Sequence, residues 1–153
     1  MRKIALVIGA VIFTASLEIM SRTSFAAQCL DGREAALRAG GFSGLISCDE
    51  NASFNPIGTI HTGMQDFLVC DYTYRFMPED GSVMHGQQRV VIFNMQGGYV
   101  GQYSLTPPPK RDVRIDGATL IISADGNTLG VIDFRTGPSP SALVDGEVIS
   151  FFR

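Results

Sequence analysis

Residues 114–123 read RIDGATLIIS and residues 143–152 read LVDGEVISFF. Each places an apolar residue before Asp-Gly and a β-prone run after it. Two-residue hairpin turns need positive φ at their central residues, which Asp tolerates and Gly takes freely. Asp116-Gly117 and Asp145-Gly146 are therefore expected to be tight hairpin turns. Asp125-Gly126, in SADGNTL, is expected to close a slightly longer one.

The similarity extends outward. VGQYSLTPPPKRDVRIDGATLII (100–122) aligns without a gap on LGVIDFRTGPSPSALVDGEVISF (129–151). Gly101 matches Gly130, Pro109 matches Pro138, Asp116 matches Asp145 and Gly117 matches Gly146. The apolar matches are Val100/Leu129, Tyr103/Ile132, Leu105/Phe134, Ile115/Val144 and Leu120/Ile149. The unit is strand, Pro-rich loop, strand, Asp-Gly turn, strand. Asp116 and Asp145 are thereby assigned to backbone geometry, not to chemistry.

Upstream, QRVVIFNM (88–95) and YVGQYSL (99–105) read as strands, and FSGLISC (42–48) as a short strand candidate. FLVCDYTYRF (67–76) alternates. Leu68, Cys70, Tyr72, Tyr74 and Phe76 share one face, and Asp71, Thr73 and Arg75 share the other with Phe67 and Val69, which predicts a strand with one buried face. DENASFNPIGTIHTGMQD (49–66) is rich in Asn, Gly and Pro and reads as a long irregular connection with a short strand around residues 57–61. CLDGREAALRAGGF (29–42) is the one good helix, with Asp31 as cap, Glu34 completing a capping box and Gly40-Gly41 ending it. So short a helix must pack on something else. About eight short strands joined by hairpins predict an all-β chain, a small antiparallel meander barrel with one short N-terminal helix. A two-sheet β-sandwich is the alternative. Closure removes exposed edges, which favours the barrel.

The first residues have a different character. MRK is followed by an apolar run over 4–17 and a polar stretch ending in Ser24-Phe25-Ala26. This is the layout of a secretory signal peptide cut after Ala26. Residues 1–26 are expected to be removed, leaving 27–153 as a single β-rich domain. The apolar run is shorter than the ~20 residues a spanning helix needs. An uncleaved anchor is the alternative. Cleavage leaves nine basic and fourteen acidic side chains, a net charge of −5. Such a chain repels phosphate backbones, so no nucleic-acid partner is expected. The mature chain is expected in the periplasm or secreted, and not to span the membrane. The strand runs are mostly shorter than the ~9–11 residues of an outer-membrane barrel.

Export makes disulfides persistent. Of Cys29, Cys48 and Cys70, the last sits mid-strand among aromatic residues, so Cys29–Cys48 is the expected bridge. Chemistry finds little support. His61 and His85 lie in Gly-containing, loop-like segments with no HxH, HxxxH or CxxC spacing, so no metal site and no cofactor are expected. Cys70 lies inside an alternating strand, and no nucleophile turn or phosphate loop accompanies it. No catalytic residue is assigned, and the expectation is a non-enzyme. TPPPKRD (106–112) is a stiff loop carrying Lys110, the only lysine of the mature chain, and Arg111, with Arg114 nearby. The second unit has GPSPSA there, without charge. Lys110, Arg111 and Arg114, with Asp49 and Glu50 of the 49–66 connection, are the partner-binding candidates.

The sequence therefore predicts an exported non-enzymatic binding or inhibitor module that acts through loops on a protein or glycan of the cell envelope. The alternative is a carrier with an apolar ligand inside the barrel, lined by Tyr72, Tyr74 and Tyr103. The chain has no Trp, so the Gly-x-Trp signature of lipocalin-like carriers is absent.

Overall fold

The structure is a computed structural model that describes residues 29–81, 83–106 and 109–153, with backbone only for Cys29 and Asp31. The expected signal peptide and Pro107-Pro108 lie outside the described residues. Nine strands run as β1 (Ala52–His61), β2 (Asp66–Phe76), β3 (His85–Asn94), β4 (Tyr99–Leu105), β5 (Asp112–Asp116), β6 (Thr119–Ala124), β7 (Asn127–Asp133), β8 (Ser141–Val144) and β9 (Glu147–Phe152). They form one sheet in the order β1-β2-β3-β4-β9-β8-β7-β6-β5, with every neighbouring pair antiparallel. The sheet curls into the expected meander, a nearly closed barrel.

One connection breaks the sequential order. After β4 the chain crosses one end of the barrel to β5, then meanders back until β9 pairs with β4 through Gln102↔Phe152 and Tyr103↔Phe151. This order leaves the edge strands β1 and β5 running the same way. They close by side-chain packing, since a Cβ on Gly58 would stand 3.2 Å from Ile115 Cδ1.

The repeat is a core pattern. Tyr103, Leu105, Leu120, Ile132, Phe134, Val144 and Ile149 lie in the cluster that fills the barrel, and Val100, Ile115 and Leu129 pack against it. These are the ten apolar positions of the alignment. Phe134 meets Phe67 edge-on at 6.0 Å and Tyr103 at 6.4 Å.

The two Asp-Gly steps are not equivalent. Asp145-Gly146 is a two-residue turn between Val144 and Glu147, with φ of 54° and 77°. Asp125-Gly126 is equally tight, joining Ala124 to Asn127 at 49° and 79°. Asp116, however, is the last residue of β5 and pairs with Thr119, so Gly117-Ala118 make that turn, with positive φ at Gly117 alone. Thr119 Oγ1 donates to the Asp116 carbonyl at 2.7 Å and fixes this register.

A second core lies on the outer face of β2–β4. A single 3-10 turn (Cys29–Gly32) and helix α1 (Glu34–Ala39) cover it. Leu30 and Leu37 pack there on Cys70, Tyr72, Tyr74, Val91, Phe93 and Tyr99. The expected capping box needs Asp31 at the N-cap, but the helix starts later, with Glu34. Arg33 occupies the N-cap with no side-chain cap, and its guanidinium lies 5.2 Å from the Phe93 ring. Glu34 pairs instead with Arg38 at 2.8 Å. The C-terminus is as expected: Gly41 has φ +79°, and Phe42 N–H reaches Leu37 O at 3.0 Å, the Schellman pattern.

Three further expectations need correction. Both faces of β2 are buried, Phe67 and Val69 inside the barrel and Cys70, Tyr72 and Tyr74 under the helix. Residues 42–48 form no strand. They cross the outer face, where Tyr72 Oη donates to Leu45 O at 2.9 Å and accepts from Ser47 N at 2.8 Å. Most of 49–66 is the ten-residue strand β1. β1 is an edge strand, which is where Pro56 can be tolerated, and the register shifts between Pro56 and Gly58.

Burial pushes the Tyr99 hydroxyl up to about 12 and also raises Tyr72 and Tyr103. Each folded pKa lies above its unfolded value, so this stability is complete below pH ~10 and is lost as pH rises through the folded pKa. Spectroscopic titration is expected to show tyrosinate appearing with loss of the fold between about pH 10 and 12. Ionisation of Tyr99 with the fold intact would contradict this.

Candidate functional site

Strands β2 and β3 outrun their neighbour. β4 ends at Leu105, opposite Gln88, while β3 begins at His85 and pairs with β2 as far as Phe76. The inner face of β1–β3 beyond the barrel core is therefore left as the floor of an open cleft of ≈620 Å³. Ser53, Thr73, Arg75, Gly86 and Gln88 line it, with Glu50 and Asn51 at one rim, Met84 at another and Lys110 at its inner end. Such a volume falls in the range of ligand sites.

The inner end is rigid. Gln88 is 2% exposed and Asp71 7%. Gln88 Nε2 donates to Asp71 Oδ1 and to the Arg111 carbonyl, both at 2.8 Å, and Gln88 Oε1 accepts from Arg111 N at 2.8 Å. Lys110 Nζ lies 3.2 Å from Asp71 Oδ2. One amide thus pins the β4–β5 crossover to the sheet and separates the apolar core from the polar cleft. Farther out, Thr73 Oγ1 and Ser53 Oγ are 3.3 Å apart, and Asn55 Nδ2 donates to Ser53 Oγ at 2.9 Å.

The partner-binding candidates separate. Lys110 and Glu50 both line the cleft. Arg111 turns away, its guanidinium 2.6 Å from Asp145 Oδ2. Asp145 thus serves as both turn former and ion-pair partner, beyond the backbone role assigned to it. Arg114 is exposed on β5, 4.0 Å from Asp116. Asp49 shapes the entry to β1, where its Oδ1 accepts from Asn51 N at 2.8 Å. Asp71, Thr73, Arg75 and Gln88 were missed as site residues. Their signal was the face of FLVCDYTYRF that opens with Phe67 and Val69 and then turns polar, marking where the strand leaves the core.

The histidines do not meet. His61 pairs with Asp66 at one end of β2 and His85 with Phe76 at the other. The 11 residues of β2 put about 30 Å between them. Cys70 is buried beneath the helix side of the same strand. Among the described residues no cluster of three or more His, Cys, Asp or Glu could hold a metal ion. Tyr103 faces the barrel interior whereas Tyr72 and Tyr74 face outward under α1, so the three do not line one cavity. No helix among the described residues is long and apolar enough to cross a membrane. Comparison with protein families, curated proteins and solved structures finds no match.

Proposed function

We propose that the chain is an exported, non-enzymatic binding module that holds a polar segment of an envelope protein or glycan in the β1–β3 cleft. The cleft itself carries the reading: an open, concave surface lined mostly by polar side chains on a three-stranded floor held by the Gln88 network. Lys110 and Glu50, two of the loop residues singled out from the sequence, line it. The wide separation of His61, His85 and Cys70 supports the non-enzymatic part, because a nucleophile and its base must lie within hydrogen-bond reach.

The test is capture from the protein's own envelope extract with three baits. A partner bound by the wild type is expected to be lost with the double variant Thr73→Ala/Arg75→Ala and kept with Arg114→Ala. Equal capture by all three would retire the cleft as the site.

Export to the periplasm or medium is part of the same proposal. Mass spectrometry of the exported protein is expected to find Ala27 at its N-terminus, and a retained residue 1 would contradict it. We further propose the bridge Cys29–Cys48. It is supported by the disulfide-bonded state of Cys48 and by the burial of Cys70 mid-strand. Cys48→Ala is expected to cost about 3 kcal/mol in urea unfolding, the chain-entropy value for a loop of roughly 20 residues. A change under ~0.5 kcal/mol would speak against the bridge, since the entropic stabilisation of such a loop would then be missing.

A further inference from the structure

Methionine is ordinarily a buried residue. In this chain Met64, Met77, Met84 and Met95 are all exposed, Met64 at 82% and Met95 at 56%. Two of them meet. Met64, in the β1–β2 turn, and Met95, in the β3–β4 turn, line one depression at the end of the barrel away from the cleft. Asp66 lines it too, and beside it stands His61, whose Nδ1 lies 2.9 Å from Asp66 Oδ2.

The register brings the three candidate ligands together. His61 pairs with Asp66, and Phe67 pairs with Asn94, so the β3–β4 turn that begins at Met95 leaves the sheet next to Asp66. Alternation puts His61 and Asp66 side by side on the outer face, because Ile60 and Phe67 point into the core, and Met95 opens the turn next to them, lining the same depression as Asp66. Strands lie about 4.8 Å apart, so the His61 and Met95 backbones are about 10 Å apart, within joint reach of an imidazole and a thioether. Met64 approaches from the turn.

We propose that His61, Met64 and Met95 form a surface site for a soft monovalent cation, Cu(I). Thioethers select Cu(I) over hard or borderline divalent ions, and imidazole accepts it as well. The His61–Asp66 contact is the arrangement found behind metal-ligating histidines: Nδ1–H donates to the carboxylate, which leaves Nε2 as the ligand atom. The opposite end of the barrel has the same residue types without that arrangement. His85 stacks on the Phe76 ring at 5.6 Å, and among the described residues no carboxylate is bonded to it.

The test uses the purified protein with methyl-labelled methionine, titrated with Ag(I) as a redox-inert stand-in and then with Cu(I) under ascorbate. The Met64 and Met95 methyl resonances are expected to shift with one equivalent, while those of Met77 and Met84 stay. In competition with a Cu(I) chelator, the exposed-site variants Met64→Leu/Met95→Leu and His61→Gln are expected to bind at least tenfold more weakly. Met77→Leu/Met84→Leu is expected to bind as the wild type does, and Zn(II) is expected to leave the methyls unmoved. Unmoved Met64 and Met95 methyls, as binding at Cys70 would give, overturn the proposal. So does wild-type affinity in Met64→Leu/Met95→Leu.

Discussion

Gln88→Leu is expected to lower stability by about 3 kcal/mol, or Tm by about 10 °C. The amide makes three hydrogen bonds from a position 2% exposed. Leucine would fill its space but strand the Arg111 N–H, the Arg111 carbonyl and one oxygen of Asp71. A buried polar group left unmade costs about 1–3 kcal/mol, and apolar packing offsets only part of the sum. Lys110 still faces Asp71, so the carboxylate is not left alone. Hydrogen exchange is expected to quicken first in the crossover that Gln88 holds, before β2 and β3 loosen. Gln88→Glu supplies a sharper control. It keeps the acceptor for Arg111 N–H but sets a second carboxyl beside Asp71. Repulsion raises the pKa of the introduced carboxyl, so its penalty is expected to shrink as pH falls and it takes up a proton. A Gln88→Leu variant as stable as the wild type would mean that the crossover does not depend on this network.

Gly130→Ala is expected to cost more than Gly101→Ala, although the two glycines occupy the same place in the repeat. A Cβ on Gly130 would collide with the Leu143 carbonyl oxygen and stand 2.8 Å from Val144 Cγ2. The obstacle is the backbone of the next strand, and Gly130↔Val144 is the one ladder pair between β7 and β8 among the described residues. The Asp145 N–H bond to Leu129 O beside it, at 2.9 Å, would be disturbed too. Overpacking against an immovable neighbour is expected to cost about 3 kcal/mol and to part this seam. A Cβ on Gly101 would instead meet the ring of Phe151. That ring can turn, so a cost of about 1–2 kcal/mol is expected. Urea unfolding of both variants checks the order. Equal costs would mean that the β7–β8 seam has more freedom than its geometry implies.

The same pair of glycines shows how far the sequence could be read. The alignment of 100–122 on 129–151 identified ten apolar positions, and all of them face the barrel core. It could not distinguish Gly101 from Gly130, because what each glycine admits, a ring or a carbonyl, belongs to another strand. The Asp-Gly steps behave alike. Asp145-Gly146 lies at the turn centre, but Asp116-Gly117 is displaced by one residue. Two-residue turns with Gly at the first or the second central position are both accessible locally. Only the pairing of β5 with β6 chooses between them.

The N-terminal half was misread for a related reason. Asn, Gly and Pro made 49–66 look irregular, yet an edge strand tolerates a proline because one side of its ladder is unpaired. Edge position is set by sheet order, which no local pattern records. The partner-binding candidates were chosen for charge and loop context. Of these, Lys110 and Glu50 reach the cleft, while Arg111 is held by Asp145 and Asp49 by its own turn.

By itself, then, the sequence determined the β class, the hairpin plan, the Schellman end of α1 and the repeat's share of the barrel core. All of these rest on interactions within a few residues or on a two-residue period. The tertiary structure alone decided that the chain crosses from β4 to β5, that β2 buries both faces, and that β2 and β3 outrun β4. The cleft follows from that last mismatch in strand length. It is a property of how strands end beside one another, and neighbours in space, not in sequence, fix it.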